Sequence, residues 1–179
     1  AEFTAPMIIS LGSALVRSFE PHDAPLLARY ANDPVITAYM HDAVPRRYST
    51  EEAAAWIELV RAQSPECHFS IAVPDRIIGA IGLEPQHDIY AHSAELSYWV
   101  AESHWGQGIA TRAVGAVADH AFWQLGFTRL YARVFDGNHA SQRVLEKNAF
   151  ALEGRLQKAA LKLGRLCDQL LYAKLRAAH

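Results

Sequence analysis

The residues that most directly invite chemistry form one run, His104-Trp105-Gly106-Gln107-Gly108-Ile109-Ala110-Thr111, which joins an alternating apolar segment to an amphipathic one. That context puts the glycines in a strand-to-helix turn. A helix start carries unpaired amides and the positive end of the macrodipole, and glycine lets anion oxygens approach the backbone, so the run can hold a pyrophosphate. A tight turn that uses glycine only for its backbone freedom would leave the same pattern. No Lys-Ser/Thr pair follows, which argues against a nucleoside triphosphate loop. Thr111 stands where a dinucleotide fold would place Gly or Ala, and Asp136 lies too far along to meet a ribose. A second set, Asn138, Ser141 and Arg143, opens a short helix after the next strand, and strand-helix pairs side by side bring both helix starts to one sheet edge. Taken alone, these three read more simply as an N-cap, a first-turn serine and a solvated arginine, and only their coincidence with the glycine turn raises the functional reading.

The elements that must position these groups follow from periodicity. Ala14 to Phe19 reads as a strand, Pro21-His22-Asp23 starts a helix carrying Leu26, Leu27 and Tyr30, and a short helix follows Asp33-Pro34. Ser49-Thr50-Glu51-Glu52 starts another helix that runs to about Gln63. The period then changes. Phe69 to Val73, Ile77 to Leu83 and Ala94 to Val100 read as three consecutive strands, joined by a turn at Pro74-Asp75 and a longer loop from Glu84 to His92. From Ile109 to Leu125 apolar residues recur at three and four residue steps, and Gly126 stops the helix. A strand at Leu130 to Val134, a helix from Ala140 to about Asn148, and strands at Phe150 to Leu156 and Cys167 to Leu175 complete the chain.

A length of 179 residues predicts one domain. We expect an N-terminal extension over residues 1–12, its first six residues an addition ahead of a natural start at Met7, and one domain over 13–179. A net charge of −2 with 20% charged residues argues against a nucleic-acid binder held by a basic face, so no nucleic-acid partner is expected. Two cysteines far apart exclude a disulfide framework or a cysteine-rich zinc site. The nine histidines show no paired ligand spacing, so no metal is expected. No long apolar run or secretory leader is visible, which predicts no membrane partner and a cytoplasmic location.

Four ordered blocks resemble the GNAT acetyltransferases: Ala94-Glu95-Leu96-Ser97-Tyr98-Trp99-Val100, Trp105 to Thr111, Asn138-His139-Ala140-Ser141, and Lys147 to Gly154. The likeness extends over roughly Leu15 to Arg176, and within that superfamily the chain resembles the ribosomal-protein alanine N-acetyltransferases of the RimJ/RimL type. It departs at Trp105, where the superfamily motif has Gln or Arg, and at Arg112, where many relatives have Glu. The resemblance implies an α/β (α+β) domain: a mixed, mostly antiparallel twisted sheet of about seven strands, flanked by helices, with one parallel pair splayed into an acetyl-CoA cleft. It implies pantetheine against the backbone of Tyr98, Trp99 and Val100. The pyrophosphate would lie on the amides of Gly106, Gln107, Gly108, Ile109, Ala110 and Thr111, Asn138 and Ser141 would face the thioester end, and Trp105 and Arg143 would complete the cofactor site. The acceptor would be a primary amine, either a protein N-terminus, such as that of a ribosomal protein, or a small molecule. A homodimer is compatible with it, and a small-molecule acetyltransferase or a non-catalytic acyl-CoA-binding domain remains an alternative.

Acyl transfer from a thioester to an amine needs a neutral amine, a polarised carbonyl and a stabilised thiolate. With both substrates bound together the amine attacks directly, the Val100 amide serves the oxyanion, and Cys67 and Cys167 read as core fillers. Many GNAT enzymes donate the last proton from a tyrosine beyond the asparagine of the third block. Leu145 stands in that neighbourhood here, and the resemblance to the ribosomal-protein branch implies Ser141 as the donor instead. For the base, Glu95 ranks first, then Glu84, with His68 a third choice. Glu95 reads equally as an exposed strand residue alternating with Leu96. An α-amino group, with a pKa near about 8 against about 10.4 for lysine, needs only a weak base, which favours N-terminal amines.

Overall fold

The computed structural model describes residues 7–40 and 47–178, so the expectation for residues 1–6 lies outside the described residues. In chain order the elements are β1 (Ile8–Ser10), β2 (Leu15–Ser18), α1 (Ala24–Ala31), α2 (Pro34–Thr37), α3 (Thr50–Arg61), β3 (His68–Val73), β4 (Arg76–Pro85), β5 (Ser93–Val100), α4 (Ile109–Trp123), β6 (Arg129–Phe135), α5 (His139–Lys147), β7 (Ala151–Lys162) and β8 (Arg165–Leu175). The strands form one sheet in the order β1-β2-β3-β4-β5-β6-β8-β7. Every pair is antiparallel except β5 and β6, which run parallel because α4 carries the chain back between them.

Eight strands stand where about seven were expected. The additional one is β1, three residues paired to β2 from Ile8↔Arg17 to Ser10↔Leu15. It is too short and too exposed to show an alternating pattern, yet Leu11 just beyond it is buried in the main core. The last hairpin is also longer than periodicity indicates, because β7 continues to Lys162 with most of its residues exposed. A strand without a buried face loses the period-two signal that marks strands.

Two apolar cores lie on opposite faces of the sheet. On one, Ile109, Ala113, Val114, Val117, Ala118, Ala121 and Phe122 of α4 pack with Phe69, Ile81, Leu83, Leu96 and Leu130. On the other, Leu27 and Ala28 of α1 and Ala53, Ile57 and Val60 of α3 cover Ile77, with Trp99 at the margin. Local chemistry begins the helices as the sequence predicts. Ser49 Oγ accepts from Glu52 N at 3.1 Å while the Glu52 carboxylate accepts from Ser49 N at 2.7 Å. A buried bidentate pair, Arg17 to Asp23 at 2.7 and 2.8 Å, ties β2 to the entry of α1.

Candidate active site

The site starts where a ladder stops. Strands β5 and β6 pair only at Ser93↔Arg129, Ala94↔Leu130 and Glu95↔Tyr131, although β5 continues to Val100 and β6 to Phe135. Beyond Glu95 the two strands diverge. Ala101 N donates to Ile78 O, and β5 is antiparallel to β4 with Ile81↔Tyr98 in register. Alternation along such a pair turns the backbone groups of Glu95, Ser97 and Trp99 toward β4. Those of Leu96, Tyr98 and Val100 turn toward the gap. The gap therefore offers a strand edge with backbone donors and acceptors left over, a surface to which an extended amide-containing ligand can add. The Val100 carbonyl is already used, accepting from Trp105 Nε1 at 2.7 Å.

At the far end of β5 the chain turns through Gly106 (φ 72°) and Gly108 (φ 70°) into α4. A Cβ at Gly106 would meet nothing within 4 Å, so it is the left-handed backbone, not crowding, that calls for glycine there. Gly108 is the N-cap and has no side chain to satisfy the first amides, and no acidic residue stands in the first turn. The amides of Ile109, Ala110 and Thr111 are thus open to an anion. Arg112 braces this turn: its guanidinium donates to Gln107 O at 3.1 Å and to Leu11 O at 3.0 Å. Asn148, at the end of α5, donates from Nδ2 to Thr111 O at 3.0 Å and Val144 O at 2.9 Å, locking the two helices together.

The start of α5 reaches the same gap. Asn138 is its N-cap, with its side-chain oxygen accepting from Ser141 N at 3.2 Å. The Tyr98 hydroxyl lies 2.7 Å from Ser141 Oγ and 3.0 Å from Ser141 O, so it bridges β5 to α5 across the divergence. Burial pushes the Tyr98 phenol far above the usual tyrosine range, against the smaller opposite effect of its bond to Ser141. Gln142, the next residue, buries its side-chain nitrogen with no hydrogen-bond partner among the described residues. Arg143 is exposed and forms no ion pair or side-chain hydrogen bond with them.

The opposite face of the same strands carries the carboxylates. Both oxygens of Glu95 accept from Arg133, Nε and Nη2, at 2.8 Å each. Glu84 is the cross-strand neighbour of Glu95, is exposed, and its carboxylate makes no ion pair with the described residues. Tyr131, level with Glu95, has its phenol raised by burial first and then by the Glu95 charge. Next to it a depression of about 360 Å³ is lined by Gln86, Tyr90, Ser93, Arg129, Tyr131 and Leu171. The Trp99 ring also lies on this side, 5.3 Å from Tyr30, so its side chain is not brought to the glycine turn. His68 stands on β3, two strands from β5, edge-on to Trp56 and hydrogen-bonded to Gln63, and burial lowers its pKa.

The residues expected from sequence thus divide by face. Tyr98, Val100, the glycine turn, Asn138 and Ser141 gather at the divergence, while Glu84 and Glu95 face the other way. The tyrosine hydroxyl at Ser141, the arginine on Glu95, and the braces Arg112 and Asn148 escaped the sequence reading. One signal existed for Tyr98: it alternates with Leu96 and Val100, and a tyrosine on a buried face needs a partner for its hydroxyl. Among the described residues no group of three or more His, Cys, Asp or Glu could hold a metal ion. No helix of the described residues is long and apolar enough to cross a membrane. Cys67 is buried, and both cysteines are free.

A family model described as an acetyltransferase (GNAT) domain matches residues 14–151. The chain is 31% identical over 166 residues to an uncharacterized N-acetyltransferase, p20, of Bacillus licheniformis, covering 90% of this chain and 92% of the relative. It is 34% identical over 110 residues to a ribosomal-protein-serine acetyltransferase of Escherichia coli, covering 60% and 59%. Among solved structures, RimL, a ribosomal alpha-N-protein acetyltransferase in complex with coenzyme A, superposes with a TM-score of 0.84 at 22% identity, covering 94% of this chain and 98% of that one. Mycobacterium smegmatis RimJ in complex with CoA-disulfide gives 0.81 at 26%, covering 96% and 86%.

Proposed function

The chain belongs to the GNAT acetyltransferase family, and from that premise we propose that it transfers acetyl from acetyl-CoA to the N-terminal amine of a polypeptide, both substrates being bound at once. The observation that carries this reading is the ladder's stop at Glu95 and Tyr131, beside the open amides of the glycine turn. The residues present fit the cosubstrate. Leu96 and Tyr98 offer backbone groups for a pantetheine arm that ends at the Val100 amide, and Gly106 to Thr111 offer amides for a pyrophosphate, with Arg143 exposed and able to reach a phosphate. Acetyl-CoA supplies an activated carbonyl and a thiolate leaving group.

In this reading the Val100 amide serves the developing oxyanion and Ser141 donates a hydrogen bond to the departing sulfur. The acceptor amine comes to the divergence from the carboxylate face, with the group that bears it in the depression beside Tyr131. Glu84, whose oxygens are not held by a cation, takes the amine's proton through water. Glu95, ranked ahead of it on sequence, would have to give up part of its Arg133 pair to do so, and serves to brace the two strands. An α-amino group needs little help from a base, and relatives named as ribosomal-protein acetyltransferases favour a polypeptide acceptor.

The first test is the thermal unfolding midpoint with acetyl-CoA, CoA or NAD. A ligand at 100 times its dissociation constant adds about 2.7 kcal/mol. A rise with both CoA species and none with NAD is expected; no rise, or a rise with NAD alone, overturns the cofactor assignment. Mass spectrometry of peptides and small amines incubated with acetyl-CoA then decides the acceptor, and acetylation of small amines alone would overturn the polypeptide reading.

A further inference from the structure

We propose that Tyr98 is a positioning residue that aims the Ser141 hydroxyl proton during acyl transfer, by exchanging one hydrogen bond for another without moving either side chain. The inference rests on the reading of Ser141 as the group that meets the departing sulfur. A phenol has one proton, and Tyr98 has two acceptors in reach, Ser141 O at 3.0 Å and Ser141 Oγ at 2.7 Å. Two arrangements use these contacts. In the first, Tyr98 donates to Ser141 O while Ser141 Oγ donates to Tyr98, so the serine proton is spent. In the second, Tyr98 donates to Ser141 Oγ, and the serine proton is free to point elsewhere. Passing between them requires only two O–H rotations.

The second arrangement suits an anion. As the C–N bond forms and the C–S bond breaks, the bonding pair leaves on sulfur, and the amine's proton departs through water on the carboxylate face. Ser141 O–H then turns to the sulfur, and Tyr98 O–H turns to Ser141 Oγ. No proton leaves Tyr98, which agrees with its burial: the buried phenol resists ionising and remains a donor. The place where a tyrosine would otherwise be sought, at Leu145, is fully buried and carries no proton to give. Asn138 holds the Ser141 amide at 3.2 Å, so the serine backbone is fixed while its hydroxyl turns.

Tyr98→Phe keeps the ring and removes the hydroxyl. Steady-state kinetics with an accepted peptide should show kcat about tenfold lower, the effect of one hydrogen bond to a charged group, with KM for acetyl-CoA little changed. In a double-mutant cycle, Y98F should add nothing to Ser141→Ala. Wild-type kcat in Y98F beside a slow S141A overturns the role of Tyr98 alone, as does a raised KM with kcat unchanged. Wild-type kcat in S141A overturns the reading of Ser141 beneath it. A readout independent of turnover is the affinity for free CoA between pH 7 and 9, across the thiol's ionisation near about 8.5. Wild type should bind more tightly at pH 9, Y98F should lose most of that gain, and acetyl-CoA, whose sulfur cannot ionise, should show none. Equal gains in wild type and Y98F would overturn the proposal.

Discussion

Glu95 and Arg133 form a two-point ion pair, 2.8 Å at each contact, across the strands that part immediately above it. Glu95 sits on the last paired rung with Tyr131, and Arg133 stands two residues further along the diverging β6. The pair spans the mouth of the divergence on the face opposite Ser141. A bidentate arginine holds a carboxylate in a fixed plane, so the contact sets an angle as well as a distance.

That geometry makes Glu95 and Arg133 energetically one unit. Glu95→Gln and Arg133→Gln should each destabilise by up to about 1 kcal/mol, because the guanidinium is partly solvated, and the double substitution should cost little more than the worse single one. Urea unfolding of the four proteins checks this. Additive losses would show that the two side chains act separately.

Glu84→Gln should lower kcat/KM by roughly tenfold at neutral pH, less than the about 100- to 10,000-fold of a strong general base because an α-amino group needs little help, with the melting temperature unchanged. The carboxylate is exposed and makes no ion pair with the described residues, so little folding energy depends on it. Initial rates across pH 6 to 9 for E84Q and E95Q separate the roles. Wild-type rates in E84Q together with a large loss in E95Q would return the base to Glu95.

The contact between α4 and α5 predicts an effect at a glycine. A Cβ at position 115 would lie 2.8 Å from Asn148 Oδ1, so Gly115→Ala must displace the side chain that holds Thr111 O and Val144 O. Alanine's helix propensity should gain about 1 kcal/mol, and losing both hydrogen bonds should offset it. Asn148→Ala, which loses the bonds without that gain, should be the less stable of the two. Calorimetric melting of both variants, with and without CoA, tests the order. A G115A protein clearly more stable than wild type would mean that Asn148 does not hold α4.

Two histidines give stability a pH dependence. Burial lowers the pKa of His68 and of His120, whose rings meet Trp56 and Phe69 edge-on. Both stay neutral in the fold below the pH at which the unfolded chain takes up protons, about 6.5. Their contribution is therefore complete above about pH 6.5 and is lost as pH falls through their folded values. Urea midpoints measured from pH 7.5 to 5 should decline, and His120→Gln should flatten the decline. A midpoint independent of pH over that window would contradict it.

How much was legible in advance depends on the range over which each feature is decided. The helix of Ile109 to Trp123 and the glycine turn before it are local: apolar spacing and a left-handed backbone are written in neighbouring residues. Residues Ile8–Ser10 were missed because a three-residue edge strand takes its conformation from its partner. The ion pair on Glu95 was not legible because the arginine that holds it lies 38 residues away.

The sequence by itself determined the succession of elements from β2 onward, the glycine turn at Gly106 to Thr111 and the serine at the head of α5, since each depends on short-range periodicity and capping. Only the tertiary structure decided that β5 and β6 part after Glu95, that Tyr98 meets a serine 43 positions later, and that the carboxylates occupy the other face. Strand pairing and register are set by packing across the whole sheet, and no local run of residues carries that information.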